Sequence, residues 1–440
     1  MLLRTWFVDG LFTRVVTDGG SMAPTLIGLH RDVLCESCGH RFSIGTDVRP
    51  IGPNAVCPRC GYDKNNVDSE IDLNGDQLLI DRTAFAFRKP RRWEVVAFRD
   101  PGRADRMLVK RVVGLPDESV LIRDGDVWVD GKIQRKTLAQ QLAMAVLVHE
   151  ADDQMNSSLF DRWRGKAGKT SWGRAGSRFA NPAEHCNGVV DWLVYHHLQR
   201  VPGNWDNVRE TPITDELYYN QMRSRRIEEL NVVPDLMLAF RVLQTFGHGP
   251  ILVRTTDGRD QFEIRIDPEL SKCNVLCNGK PFAKSKSEVP LFDKPTEINV
   301  SLFDRQLLIA INGRSIIVQP LTTSNRPFKP NSQPLAIGIQ GLSVQLDNIR
   351  IYRDLHYTHP IGPYANWALK RPYQTKKDEF FVIGDNSVIS DDSRTWHAAP
   401  DVSANLLIGK PIVVLFPACH VQFGTRHFQV PNLTKIRYIR

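Results

Sequence analysis

The sequence predicts a mainly β protein in which a β core is interrupted twice, first by a small cysteine ribbon and later by a jelly-roll-like β-sandwich. Three observations predict it. Short β-branched runs crowd residues 76–132 and return at EFFVIGD, near residue 379. Two CxxC pairs fall between residues 35 and 60. A second series of strand-like runs begins near Leu236, carries tight-turn dipeptides and has no helix between its members. A chain of 440 residues has room for several such units.

Taken in order, residues 1–30 form the first piece of the core. MLLRTWFVDGLFTRVV is amphipathic, but Arg4, Asp9 and Arg14 interrupt its apolar positions. It reads as a segment for a membrane surface rather than a span, and it lacks the apolar centre and small-residue cleavage site of a signal peptide. If the protein is anchored in a membrane, the anchor lies upstream of this start or is absent. TDGGSMAPTL follows, where two glycines and Pro24 place Ser21 on a tightly specified turn. Residues 31–70 hold Cys35, Cys38, Cys57 and Cys60 as C-E-S-C-G-H and C-P-R-C-G. Such knuckles offer four thiolates to one tetrahedral Zn²⁺ of structural type, with two disulfides as the alternative. Cys186, Cys273, Cys277 and Cys419 have no such spacing and read as buried thiols; a metal site from His185-Cys186 and His196-His197 is the weaker reading.

Residues 71–132 contain GDQLLIDR, WEVVAFRD, MLVKRVVGL, SVLIRD and DVWVDGK, with a hairpin signal at Asp124-Gly125. Residues 133–232 read as a helical start, 134–150, followed by an irregular connecting region. Residues 233–357 form the sandwich, with Asp257-Gly258, Asn278-Gly279 and Asn312-Gly313 as turns. Because the core strands stop at Lys132 and resume near Pro360, the sandwich is expected to be autonomous and excisable. Residues 358–440 complete the core.

The formal charge is +8, from 57 Lys and Arg against 49 Asp and Glu. The excess is spread along the chain without an aromatic-basic repeat, so no nucleic-acid partner is expected. Ser21 needs a base, and no histidine sits near it in a motif-like setting. Lys110, inside the apolar run MLVKRVVG, is a candidate, because burial lowers an amine pKa towards working pH. From this segment alone a strand lysine facing water is an equal reading.

GGSMAPTL, GDQLLIDR, LVKRVVGLPDESVLIRDGDVWVDGK and FFVIGDNSVISDDSR, in that order, resemble type I signal peptidases, the serine-lysine endopeptidases that cut signal peptides from exported proteins. The resemblance covers residues 5–30, 74–132 and 361–417. It leaves outside the ribbon and the sandwich, which looks laminin-G- or concanavalin-like. The resemblance implies Ser21 as nucleophile, Lys110 as general base and later acid, and Ser390 as the hydroxyl that orients the lysine. It further implies Asp392 and Arg394 as a structural ion pair beside the site, and the Ser21 backbone N–H as an oxyanion donor. Catalysis would need no cofactor. The partners implied are exported preproteins with small-x-small cleavage sites and a membrane surface, with the catalytic unit on the exported side. What the sandwich binds stays open.

The departures from the family are Gly19, where some members have a serine hydroxyl, Asp117 in a turn often made by glycine, and Ser387-Val388 after Gly384-Asp385-Asn386. The missing N-terminal span is the largest departure. None removes a catalytic group. Two other readings are a self-cleaving repressor-type peptidase, which would need a DNA-binding domain and an internal cleavage segment, and a binding protein with an inert core.

Overall fold

The computed structural model describes residues 10–46, 53–68, 70–103, 105–151, 161–165, 171–182, 189–201, 204–223, 230–290, 292–322, 324–359, 365–397, 399–416, 418–423, 426–431 and 436–439. Most of the amphipathic N-terminal stretch, and the His185-Cys186 pair, lie outside them. Among the described residues no helix is long and apolar enough to cross a membrane.

The fold is mainly β. Its core sheet runs Phe12–Val16, Gln77–Asp81, Leu407–Phe416, Val95–Arg99, Met107–Gly114, Glu379–Ile383 and Asp401–Ser403, with Arg437–Tyr438 joining Leu407–Phe416. Neighbours are antiparallel throughout. Strands from residues 12–16, 77–114 and 379–416 thus interleave, so chain segments hundreds of residues apart close one sheet. Apolar clusters cover it on both sides: Met22, Leu26, Leu78, Val95 and Val414 form one, and Val96, Phe98, Val112, Phe380 and Val382 another. A strand buried on both faces reads as a continuous apolar run, as VVAF does and as LVKRVVG does apart from its Lys110-Arg111 pair.

A four-stranded sheet, Lys132–Ile133, Asp126–Val129, Ser119–Arg123 and Tyr373–Gln374, lies alongside. Its hairpin uses Asp124 (φ +55°) and Gly125 (φ +88°), both left-handed as a two-residue loop requires. Asp117 has φ +62°, so the turn keeps a glycine-like conformation with an aspartate in place, a substitution this short polar side chain tolerates. In the ribbon, His30–Leu34 pairs with Arg41–Gly45, and Asn54–Ala55 with Asn65–Asn66.

The sandwich is larger than residues 233–357. One sheet contains Leu236–Gly247, Thr296–Ser301, Gln306–Ile311, Arg314–Pro320 and Leu342–Arg353, together with Val146–Glu150, Gly173–Ala175 and Arg178–Asn181. The other joins Trp163–Gly165 and Asp191–Tyr195 to Leu335–Ile339, Ile251–Thr256, Gln261–Asp267, Lys272–Cys277 and Lys280–Lys284. Leu238, Phe240 and Val300 meet Val253, Ile264 and Ile337 in the core between them. This corrects the reading of residues 133–232 as a connecting region. The five added strands have three to five residues each, too short for a period to show, and the three that join them to the sandwich, Val146–Glu150, Arg178–Asn181 and Asp191–Tyr195, pair with strands more than a hundred residues away in sequence. The helix expected over 134–150 is confined to Leu138–Met144, started by a capping box between Thr137 and Gln140, and the chain turns extended at Ala145.

Sandwich and core meet at a buried charge cluster. Lys136 pairs with Asp304 and, at 2.8 Å, with Asp354, and its ammonium sits 4.8 Å from the Trp93 ring centre. Asp235 accepts from Asp304 N at 2.7 Å. Burial, reinforced by the neighbouring carboxylates, pushes Asp126 up to about 8 and Asp235 well above its ordinary range. Among the described residues, Lys136 is the cation whose side chain pairs directly with these carboxylates. Lys136→Met is expected to lower stability by about 3–5 kcal/mol, the usual cost of stripping a buried carboxylate of its partner. A urea midpoint equal to wild type would contradict that.

Candidate active site

The Ser21 turn is held from below. Ala23 N donates to Gly20 O (3.0 Å), Leu26 N to Met22 O (3.0 Å), and Met22, Ala23 and Leu26 are buried. Ala23-Pro24 is a cis peptide. Lys110 lies in Met107–Gly114, between Val95–Arg99 and Glu379–Ile383, opposite Val96. It is 2% exposed, and its Nζ stands 2.6 Å from Ser21 Oγ. Burial pulls the amine down to about 8, while the charges of Asp392 and Asp391 pull it partly back. The structure thus brings together the two residues singled out for nucleophile and base, 89 positions apart.

Ser390 is 1% exposed, and among the described residues its hydroxyl has no hydrogen-bond partner. It borders the site through Gly384: a Cβ on that glycine would come within 2.2 Å of Ser390 Oγ and 2.4 Å of Ser21 O. The structure therefore places Ser390 next to the turn but gives it no hydrogen bond to Lys110. Asp392 and Arg394 form a fork at 2.7 and 2.9 Å with both side chains fully buried, and Asp392 also accepts from Gly384 N at 3.0 Å. Burial opposes ionisation of Asp392, yet the Arg394 guanidinium and Lys110 outweigh it and hold the carboxyl below its usual value. Ser387, where the sequence differs from the family it resembles, caps this pair: its Oγ accepts from Arg394 Nη1 at 2.7 Å and from Thr358 N at 2.8 Å.

Because Asp392 raises the Lys110 pKa, Asp392→Asn is expected to move the pH midpoint of any Lys110-dependent activity to lower pH. A midpoint that stays in place or rises would show that Asp392 does not act on the amine.

Sequence reasoning missed three groups. Arg111 forks onto Asp385 at 2.8 and 2.6 Å, buried on both sides, and Thr25 Oγ1 donates to the same carboxylate. Asn386 holds the turn itself: its backbone N donates to Ser21 O (3.0 Å) and its Nδ2 to Gly20 O (2.9 Å). In the short 3-10 segment Tyr218–Arg223, Tyr219 packs against Gly20 of the same turn and Asn220 pairs with the side chain of Asn386. The lysine-arginine dipeptide in an apolar run was the available signal for Arg111. Nothing local marked Tyr219 or Asn220.

In the ribbon, the four cysteine sulfurs lie within 4.8 Å of one another, with Cys35 and Cys60 at 3.5 Å and Cys38 and Cys57 at 3.7 Å. His196 and His197 are engaged elsewhere, with Glu210 at 2.7 Å and the Tyr195 hydroxyl at 3.0 Å.

This geometry defines a serine-lysine site on a mainly β core. Comparison with known proteins agrees in part: the family described as "Signal peptidase, peptidase S26" matches residues 60–168, a span that includes Lys110 and the second CxxC glycine but not Ser21. Signal peptidase I V of Bacillus subtilis is 34% identical over 58 residues, 13% of this chain and 33% of that protein. Probable signal peptidase I-2 of Synechocystis is 31% identical over 74 residues, 16% of this chain and 34% of that protein. The chain thus spans about a third of the length of the curated relatives it matches. Among solved structures, the carbohydrate-binding module CBM66 from Bacillus subtilis matches 43% of this chain and 95% of its own at 9% identity, with a TM-score of 0.27.

Proposed function

We propose that the protein is a signal-peptidase-like serine endopeptidase that cleaves exported preproteins at small-x-small sites, working at a membrane surface on the exported side. The observation that carries the reading is the 2.6 Å approach of Ser21 Oγ to a buried Lys110 amine whose pKa is pulled down to about 8. In the reaction, the neutral Lys110 amine takes the Ser21 hydroxyl proton as Oγ adds to the scissile carbonyl carbon. The tetrahedral oxyanion is stabilised by donors such as Ser21 N–H. As the C–N bond breaks, the Lys110 ammonium returns its proton to the leaving amine, which leaves an acyl ester on Ser21. Lys110 then deprotonates a water that attacks the ester, and Ser21 Oγ leaves with that proton. Asp392, Arg394, Arg111 and Asp385 do not touch the reacting atoms in this scheme; they fix the loop that faces the turn.

The ribbon cysteines suit a structural zinc. A tetrahedral ZnS4 centre with Zn–S near 2.3 Å needs sulfurs about 3.8 Å apart, close to the spacings observed, and four thiolates leave no position for a reacting water. The metal would supply fold rather than chemistry.

The test is incubation of the protein with a peptide containing a small-x-small site, with the products weighed by mass spectrometry. A single cut after the second small residue, absent in Ser21→Ala, is the expected result; no cut with either protein, or equal cutting by both, would sink the reading.

A further inference from the structure

We propose that Asn220, carried by the insertion between residues 133 and 360, is a positioning residue that aims the oxyanion-binding N–H of Ser21. The proposal rests on the peptidase reading and adds to it a part supplied from outside the resembling segments. The geometry forms a short relay. Asn220 and Asn386 pair through their side-chain amides, each Nδ2 donating to the other's Oδ1 at 2.7 Å. The same Asn386 Nδ2 donates to Gly20 O at 2.9 Å, and Asn386 N donates to Ser21 O at 3.0 Å. Gly20 O and Ser21 N belong to one planar peptide group, so a bond that fixes the carbonyl also fixes the direction of the N–H. Asn386 has two side-chain protons and one carbonyl; Asn220 engages that carbonyl and one proton, which leaves the other aimed at Gly20.

Tyr219 adds a second contact. Its ring lies where Cβ atoms on Gly20 and Gly45 would stand, at 2.2 and 2.4 Å, and its hydroxyl donates to Leu29 O at 2.9 Å. The insertion is therefore seated on the nucleophile turn, and removing it would strip the turn of this support. Tyr219 and Asn220 lie outside residues 233–357, the sandwich expected to be excisable, but inside the longer stretch between Lys132 and Pro360. An oxyanion donor contributes in the transition state and little to ground-state binding, so misaiming it lowers kcat and spares KM.

The experiment compares wild type, Asn220→Ala, Asn386→Ala and the double variant on the small-x-small peptide, with Ser21→Ala as blank. The expected result for Asn220→Ala is a kcat about tenfold or more below wild type, KM within about twofold, an unchanged pH midpoint and an unchanged melting temperature. Because Asn220 acts through Asn386, the double variant should be no slower than Asn386→Ala alone. A kcat within about twofold of wild type, or losses that multiply in the double variant, would overturn the proposal. If wild type itself cuts nothing, the peptidase reading fails separately. Amide hydrogen exchange at residues 20–22 then decides the relay: faster exchange in Asn220→Ala supports it, and equal exchange overturns it.

Discussion

Replacing Lys110 with methionine is expected to abolish peptide cleavage and to make the folded protein more stable at pH 7. The loss of activity follows from the serine, which is unreactive without a base; a drop of about 10³-fold or more is expected, matched by Ser21→Ala and not deepened in the double variant, since the pair acts as a unit. The gain in stability follows from the amine's setting. Burial lowers its pKa from 10.5 to about 8. Between those two values the unfolded chain holds more protons than the folded one, so stability rises with pH across the window, and below it the folded state forgoes the full difference. At about 1.4 kcal/mol per unit, that is about 3 kcal/mol at pH 7. Methionine has a similar reach and no charge to desolvate. For wild type, only the neutral amine accepts the proton, so the rate should climb about tenfold from pH 7 to pH 9 with a midpoint near 8. Thermal unfolding and peptide cleavage on the same samples check both halves. A Lys110→Met variant that cleaves at the wild-type rate removes the dyad; one that is inactive but less stable means that the amine is not held at a cost.

The parts of this site that were legible in the sequence are those whose cause is local. Ser21 shows because two glycines and a proline constrain its own turn, and the ribbon shows because metal-ligand spacing is written within six residues at each knuckle. Lys110 shows only as an oddity, a cation in an apolar strand, and its meaning depends on Ser21 arriving from another segment. Arg111 and Asp385 are 274 positions apart, so neither announces the other. The sandwich core strands, such as Gln261–Asp267 with Phe262, Ile264 and Ile266 buried in alternation, were readable, whereas Trp163–Gly165 and Gly173–Ala175 are too short to alternate. Tyr219 and Asn220 have no local signature at all. Their side chains act where the chain returns, and return is set by the sheets on either side.

If the ribbon holds the proposed zinc, stripping it is expected to cost the protein its proposed peptide cleavage, although none of the four ribbon cysteines lies at the Ser21–Lys110 pair. The ribbon's apolar core is small: Val33, Phe42, Ile44, Ala55 and Val67 around the cysteines, with Leu198 from the neighbouring hairpin. A unit of that size rarely folds on burial alone, and zinc in comparable peptides contributes on the order of 10 kcal/mol. Its strands are also tied to the Ser21 turn. Leu29 N donates to Asp18 O at 2.9 Å, Thr46 N to Leu29 O at 3.0 Å, and the Tyr219 ring rests against both Gly45 and Gly20. If the ribbon unfolds, those bonds go with it, and Gly20 loses one wall of its seat. Elemental analysis should find one zinc per chain, and Cys57→Ser should lose it together with most cleavage, while the melting of the sandwich stays near wild type because its core shares no residue with the ribbon. Adding zinc back to chelated wild type should restore activity. Protein without metal whose mass shows two disulfides would replace this account with an oxidised ribbon. Metal-free protein that cleaves at full rate would show that the turn stands without the ribbon's support.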